Sequence, residues 1–112
     1  MLIYQDPERP FASADEASQR KVSDAVERLL ASPNVGAAIR LQDAHAATTV
    51  RFEGGKRLLI DGPYVESKEF LAGAIVIEVD NLDKALEAAA ALQEYRPGGA
   101  IEVRPLRPLG DV

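Results

Sequence analysis

The chain has no cysteine. That removes disulfides, thiolate catalysis and cysteine-ligated zinc from consideration. It has one histidine, His45, and with no thiolate to join it a stable transition-metal site is not expected. A basic surplus is missing too: 13 Lys and Arg stand against 18 Asp and Glu, a formal net charge of −5. Nucleic-acid binders and proteins that lie on anionic membranes carry the opposite balance, so neither partner is expected. No run of about 18 apolar residues occurs, and a membrane span is therefore not expected. Residues 1–10 lack the basic-then-apolar pattern of a secretory signal, which leaves a cytoplasmic location as the expectation by default. There is no phosphate-binding glycine loop, serine nucleophile elbow or paired-carboxylate spacing, and no motif implies a cofactor.

What is present fits an ordinary globular composition. The 112 residues are 46% hydrophobic and 28% charged, which suits one domain over 1–112 with a single core. At this size the margin of stability is thin, and a partner subunit would add to it.

Residues 1–4 (Met-Leu-Ile-Tyr) read as a first strand, and Pro7 and Pro10 place a loop after it. Ser13-Ala14-Asp15-Glu16 matches a capping box. The helix behind it carries Val22, Ala25, Val26, Leu29 and Leu30 at helical spacing, and Ser32-Pro33-Asn34 stops it. Strands are expected over 37–41, 48–52 and 56–60, the last two joined at Gly54-Gly55. Residues 72–79 form the strongest strand, apolar on both faces. Asp80-Asn81 then caps a second helix with Leu82, Ala85, Leu86, Ala89 and Leu92 on one stripe. A last strand is expected over 100–103, with 104–112 as a tail or arm.

This order predicts an α+β fold with both helices on one face of an antiparallel sheet. A strand that is apolar on both faces needs cover on the second face as well. A second copy of the chain, sheet against sheet, is the expected cover; the other candidate is the chain's own C-terminal arm.

One stretch stands apart: Asp61-Gly62-Pro63-Tyr64, followed by Val65-Glu66-Ser67-Lys68-Glu69. With Leu2-Ile3-Tyr4, Ala47-Thr48-Thr49-Val50-Arg51, Gly73, residues 75–86 and Pro97-Gly98-Gly99-Ala100-Ile101-Glu102-Val103-Arg104-Pro105, it makes the chain resemble the DGPF-type members of the YCII-related domain family over about 2–106. The resemblance implies a ferredoxin-like fold that pairs into a dimeric α+β barrel. It implies an ill-defined activity, with a histidine and an aspartate suspected of catalysis in the wider family. Some relatives accompany sigma factors, which implies a link to transcription. The family's histidine belongs near the first helix, whereas none lies between Phe11 and Ala31 here, so that pair does not carry over.

The candidate catalytic residues are Asp61 and His45. A carboxylate at a strand end can act as a general base, and a loop histidine can shuttle protons. Asp61 is equally a turn former, its side chain accepting backbone N–H groups two residues on, and Gly62 before a proline favours extended backbone. The candidate ligand-binding residues are Tyr64, with a phenolic donor, and Arg51, which can pair with Asp61 or hold an anion in a fork. The expected function is a small-molecule-binding or enzymatic dimeric barrel with its site near the Asp-Gly-Pro-Tyr turn. The alternative is a non-catalytic accessory factor that binds another protein.

Overall fold

The computed structural model describes residues 1–111. The elements run β1 (Leu2–Gln5), α1 (Glu16–Leu30), β2 (Val35–Arg40), β3 (Thr48–Glu53), β4 (Lys56–Asp61), β5 (Phe70–Ile77), α2 (Leu82–Gln93) and β6 (Ala100–Glu102). Four strands make an antiparallel sheet in the order β2-β5-β1-β6. The hairpin β3–β4 forms a two-stranded sheet of its own, outside the main sheet. Gly54 and Gly55, at φ +56° and +77°, supply the turn between its strands, the two positive φ values that a tight hairpin turn of this hand needs.

Both helices cover one face. Met1, Ile75, Ala89 and Leu92 are buried together, and Ile3, Ala25, Val26, Leu29, Ile77 and Ile101 pack around them. Alternation along the strands then sends Leu2, Tyr4, Ala74 and Val76 to the opposite face. Among the described residues no element covers that face: Val76 is 38% exposed although β5 is a central strand. The C-terminal arm does not lie over it, since Leu106 and Leu109 are themselves almost wholly exposed. The arm is followed to Asp111, and Val112 lies outside the described residues.

The first helix starts later than the capping box suggests. Asp15 is its cap, accepting from the Ser18 N–H at 2.7 Å. The Ser13 hydroxyl donates instead to the Pro10 carbonyl at 2.6 Å, inside a 3-10 turn over Phe11–Ser13. Serine and aspartate are near-equal caps, and the proline-led turn takes the serine. Asn81 caps α2 as expected, its side chain accepting from the Lys84 N–H at 2.9 Å. β2 and β5 each begin two residues ahead of the expected strands: Leu71 and Phe70 of β5 pair with Tyr4 and Gln5, and Val35 of β2 pairs with Ile77.

The described chain is open for its size. Its radius of gyration is 16.3 Å, against about 13 Å for a compact domain of this length. It exposes 8544 Å², where a monomer of 12.1 kDa is expected to expose about 6,000 Å².

Candidate functional site

The Asp-Gly-Pro-Tyr turn follows the end of β4, where Asp61 sits opposite Thr48 in the ladder. Gly62 has φ +100°, a backbone that side-chain-bearing residues rarely adopt. This corrects the extended conformation expected ahead of Pro63: glycine has access to a region that the proline's restriction on other residues leaves out of account. Its N–H donates to the Ala47 carbonyl and its carbonyl accepts from the Thr49 hydroxyl, both at 2.8 Å. Those bonds, and not the Asp61 carboxylate, close the turn; the residue two positions on from Asp61 is a proline, which has no N–H to give.

Arg51 lies mid-strand, opposite Leu58. Its guanidinium stands 5.7 Å from the centre of the Tyr64 ring and 3.8 Å from Glu53, so its neighbours are the ring and Glu53. Asp61 lies three ladder rungs away, at the Thr48 end of the hairpin. His45 is exposed in a 3-10 turn over Ala44–Ala46, and its backbone N–H donates to Asp43 at 3.3 Å. The structure therefore brings Arg51 and Tyr64 together on the outside of the hairpin. His45 occupies the loop that leads into β3. A hollow of about 550 Å³ lies beside both loops, walled by Ala44 and Ala46 on one side, Pro63 and Val65 on the other, and Tyr4 and Leu71 of the uncovered sheet face.

A second space lies on the other side of the sheet. It is a cleft of about 610 Å³ between α1 and the sheet. Val22, Val26 and Leu30 of α1 form one wall, and Ile3 and Ile75 belong to the sheet beneath. Gly73 is buried in its floor. A Cβ there would come within 2.6 Å of the Ile39 carbonyl, so only glycine permits this approach of β2 to β5.

Three arginines line the cleft: Arg9, Arg40 and Arg96. Arg9 Nε donates to Asp6 Oδ2 at 2.9 Å. Asp6 is buried, and the Glu8 N–H followed by the Arg9 guanidinium holds its carboxyl below the usual range. Arg96 donates to Gln93 Oε1 at 2.6 Å and to the Tyr4 carbonyl at 2.9 Å. Burial pushes the Arg96 guanidinium below its ordinary value, and the charge of Glu69 acts the other way. Among the described residues no three acidic or histidine side chains gather as a metal site would require, and no helix is long and apolar enough to cross a membrane.

Sequence reading did not single out these arginines. Arg40 ends β2, while Arg9 and Arg96 lie in connecting loops, and none of the three carries a motif. The one available signal was Arg96-Pro97-Gly98-Gly99, where a cation precedes a turn that two glycines allow to close tightly.

The sequence profile of the YCII-related domain matches residues 1–110. A relative from Rhizobium meliloti (strain 1021), an uncharacterized protein called R00369, is 36% identical over 110 residues, which is 95% of this chain and 89% of that protein. The match runs from the first strand into the C-terminal arm, and so takes in the sheet, both helices and the hairpin alike: the chain belongs to the YCII-related domain family.

Proposed function

We propose that this protein is a small-molecule-binding homodimer, each chain one ferredoxin-like half of a dimeric α+β barrel, with the ligand held in the cleft beneath α1. The observation that carries the dimer is surface. The chain exposes 8544 Å², roughly 2,500 Å² more than a compact monomer of its mass. Permanent dimers bury about 1,000–2,500 Å² per partner. A second copy is proposed to sit on the uncovered sheet face and on the hairpin, where Phe52 and Leu59 are 70% and 60% exposed. A lone two-stranded hairpin is only marginally stable in water, so its apolar side chains need a partner.

A partner on that face leaves the cleft on the helix face open. It would roof the hollow beside the Asp-Gly-Pro-Tyr turn; Asp61, His45, Tyr64 and Arg51 lie outside the lining of that hollow, so a part for them in a site depends on groups the partner brings. That turn also supports membership of the DGPF-type subgroup.

Light scattering on the purified protein tests the assembly. A mass of about twice 12.1 kDa across a broad concentration range is expected. A persistent monomer would discard the barrel and favour the other reading, in which the exposed apolar face receives a different protein. A thermal-shift screen of metabolites tests binding: a ligand at about 100 times its dissociation constant adds roughly 2.7 kcal/mol. Asp61→Asn, run beside it, reports whether the turn contributes; unchanged shifts would remove Asp61 from the site.

A further inference from the structure

The lining of the cleft is cationic in an acidic chain. Arg9, Arg40 and Arg96 face one carboxylate, Glu27, while the whole chain carries −5. We propose that the cleft takes a small organic anion: a carboxylate head held by Arg96 and Arg9, with Arg40 across the floor, on an apolar body lying between α1 and the sheet. This rests on the small-molecule reading above and adds the chemistry of the ligand.

Arg96 is the centre of the argument. It is only partly exposed, and both its hydrogen bonds go to neutral oxygens, those of Gln93 and Tyr4. Among the described residues no carboxylate lies within ion-pair distance of it, whereas Arg9, Arg51 and Arg104 each have one. A guanidinium does not shed its proton to escape burial, and this one is half-buried with the charge of Glu69 acting on it from beyond ion-pair distance. An incoming carboxylate supplies a directly paired charge in the planar geometry that guanidinium donors match.

Arg9 is placed to join it. Its Nε is taken by Asp6, and among the described residues its terminal nitrogens have no hydrogen-bond partner. The guanidinium packs on Gly98, where a Cβ would meet Arg9 Nε at 2.9 Å and Cζ at 3.1 Å. The two arginines thus flank one turn, Pro97-Gly98-Gly99. Arg40 stands on the far side of Gly73, its partner in the ladder, and has no ion pair among the described residues. The remaining wall is apolar, Val22, Val26 and Leu30 over Ile3 and Ile75. A space of about 610 Å³ falls within the range that holds small organic ligands. A charged head against arginines and a hydrocarbon body against branched side chains is the complementary ligand.

The test is an amide NMR titration of the full-length protein with 2-naphthoate and with its neutral counterpart, 2-naphthalenemethanol. Naphthoate is expected to move the amides of Gln5, Gly73 and Gly98 and to bind about tenfold more tightly than the alcohol, the discrimination a charge-assisted pair gives. Arg96→Gln should abolish most of that preference. Arg40→Gln, at an exposed position with no side-chain hydrogen bond among the described residues, should reduce it severalfold. Equal affinity for acid and alcohol in the cleft would overturn the anion while sparing the small-molecule reading. Naphthoate shifts confined to residues 63–71 would overturn the location. No binding of either compound at millimolar concentration would remove both.

Discussion

Arg96 Nη2 donates to the Tyr4 carbonyl at 2.9 Å, joining positions 92 residues apart in sequence. Tyr4 belongs to β1, beside β6, and Arg96 follows the end of α2. The bond therefore fixes the return from α2 into β6. Gln93 completes the tie: it accepts from Arg96 Nη1 and donates through Nε2 to the carbonyls of Gly98 and Gly99, at 3.2 Å each. Arg96→Ala should lower unfolding stability by about 1–2 kcal/mol, the worth of hydrogen bonds from a charged donor. Urea denaturation of the two proteins measures it. No change in the midpoint would mean that the turn holds without Arg96.

Gly99 gives the same return its shape. Its φ is +77°, and the Tyr4 carbonyl oxygen occupies the space that a Cβ would need. Gly99→Ala combines a disfavoured backbone with a backbone clash, so a loss of about 2 kcal/mol or more is expected. Gly110→Ala is the control, since open space surrounds that position. Comparable thermal midpoints for the two variants would contradict the packing described for the turn.

Asp6 links this corner to pH. Its folded carboxyl titrates below the unfolded value of about 3.9, because the Glu8 N–H and the Arg9 guanidinium favour the charged form. A depressed carboxyl adds stability that is complete above the unfolded value and fades as the pH falls through the folded one. Asp6→Asn should therefore be destabilising near pH 7, and the gap from the wild type should close as the pH falls below the unfolded value and through the lower folded one. Denaturation midpoints across pH 2–7 show this directly. A gap that stayed constant over the whole range would mean that the Asp6 charge does not contribute.

Much of this architecture was legible in the sequence because it rests on local chemistry. The Asn81 cap, the Gly54-Gly55 turn and part of the expected helical stripe are each decided by a few neighbouring residues: Ala85, Ala89 and Leu92 are buried, whereas Leu82 and Leu86 of the same stripe are exposed. What escaped was decided at long range. Whether the hairpin joins the main sheet depends on partners far along the chain, and β3 and β4 pair only with each other. The arginine cleft escaped for the same reason: Arg9, Arg40 and Arg96 are scattered in sequence, and only the crossing of α1 over the sheet makes them neighbours of one space. The Asp-Gly-Pro-Tyr stretch was conspicuous, yet its turn is closed by Gly62 with Ala47 and Thr49, residues on the other strand and the loop before it.

The uncovered face gives the last prediction. Val76 is on the central strand β5, one residue beyond buried Ile75 and pointing the other way. In an isolated chain Val76→Lys would be a mild change, because a half-exposed lysine can carry its ammonium into water. In a face-to-face dimer the same lysine would be withdrawn from water without a counter-ion, at a cost of several kcal/mol. Light scattering should then show the variant dissociating to monomer at concentrations where the wild type stays paired. Phe52→Ser on the hairpin separates the two parts of the proposed interface: it removes apolar contact without adding charge, so weakened pairing is expected in place of complete dissociation. If Val76→Lys kept the mass and the thermal midpoint of the wild type, the sheet face would be ruled out as the contact, whatever the hairpin did.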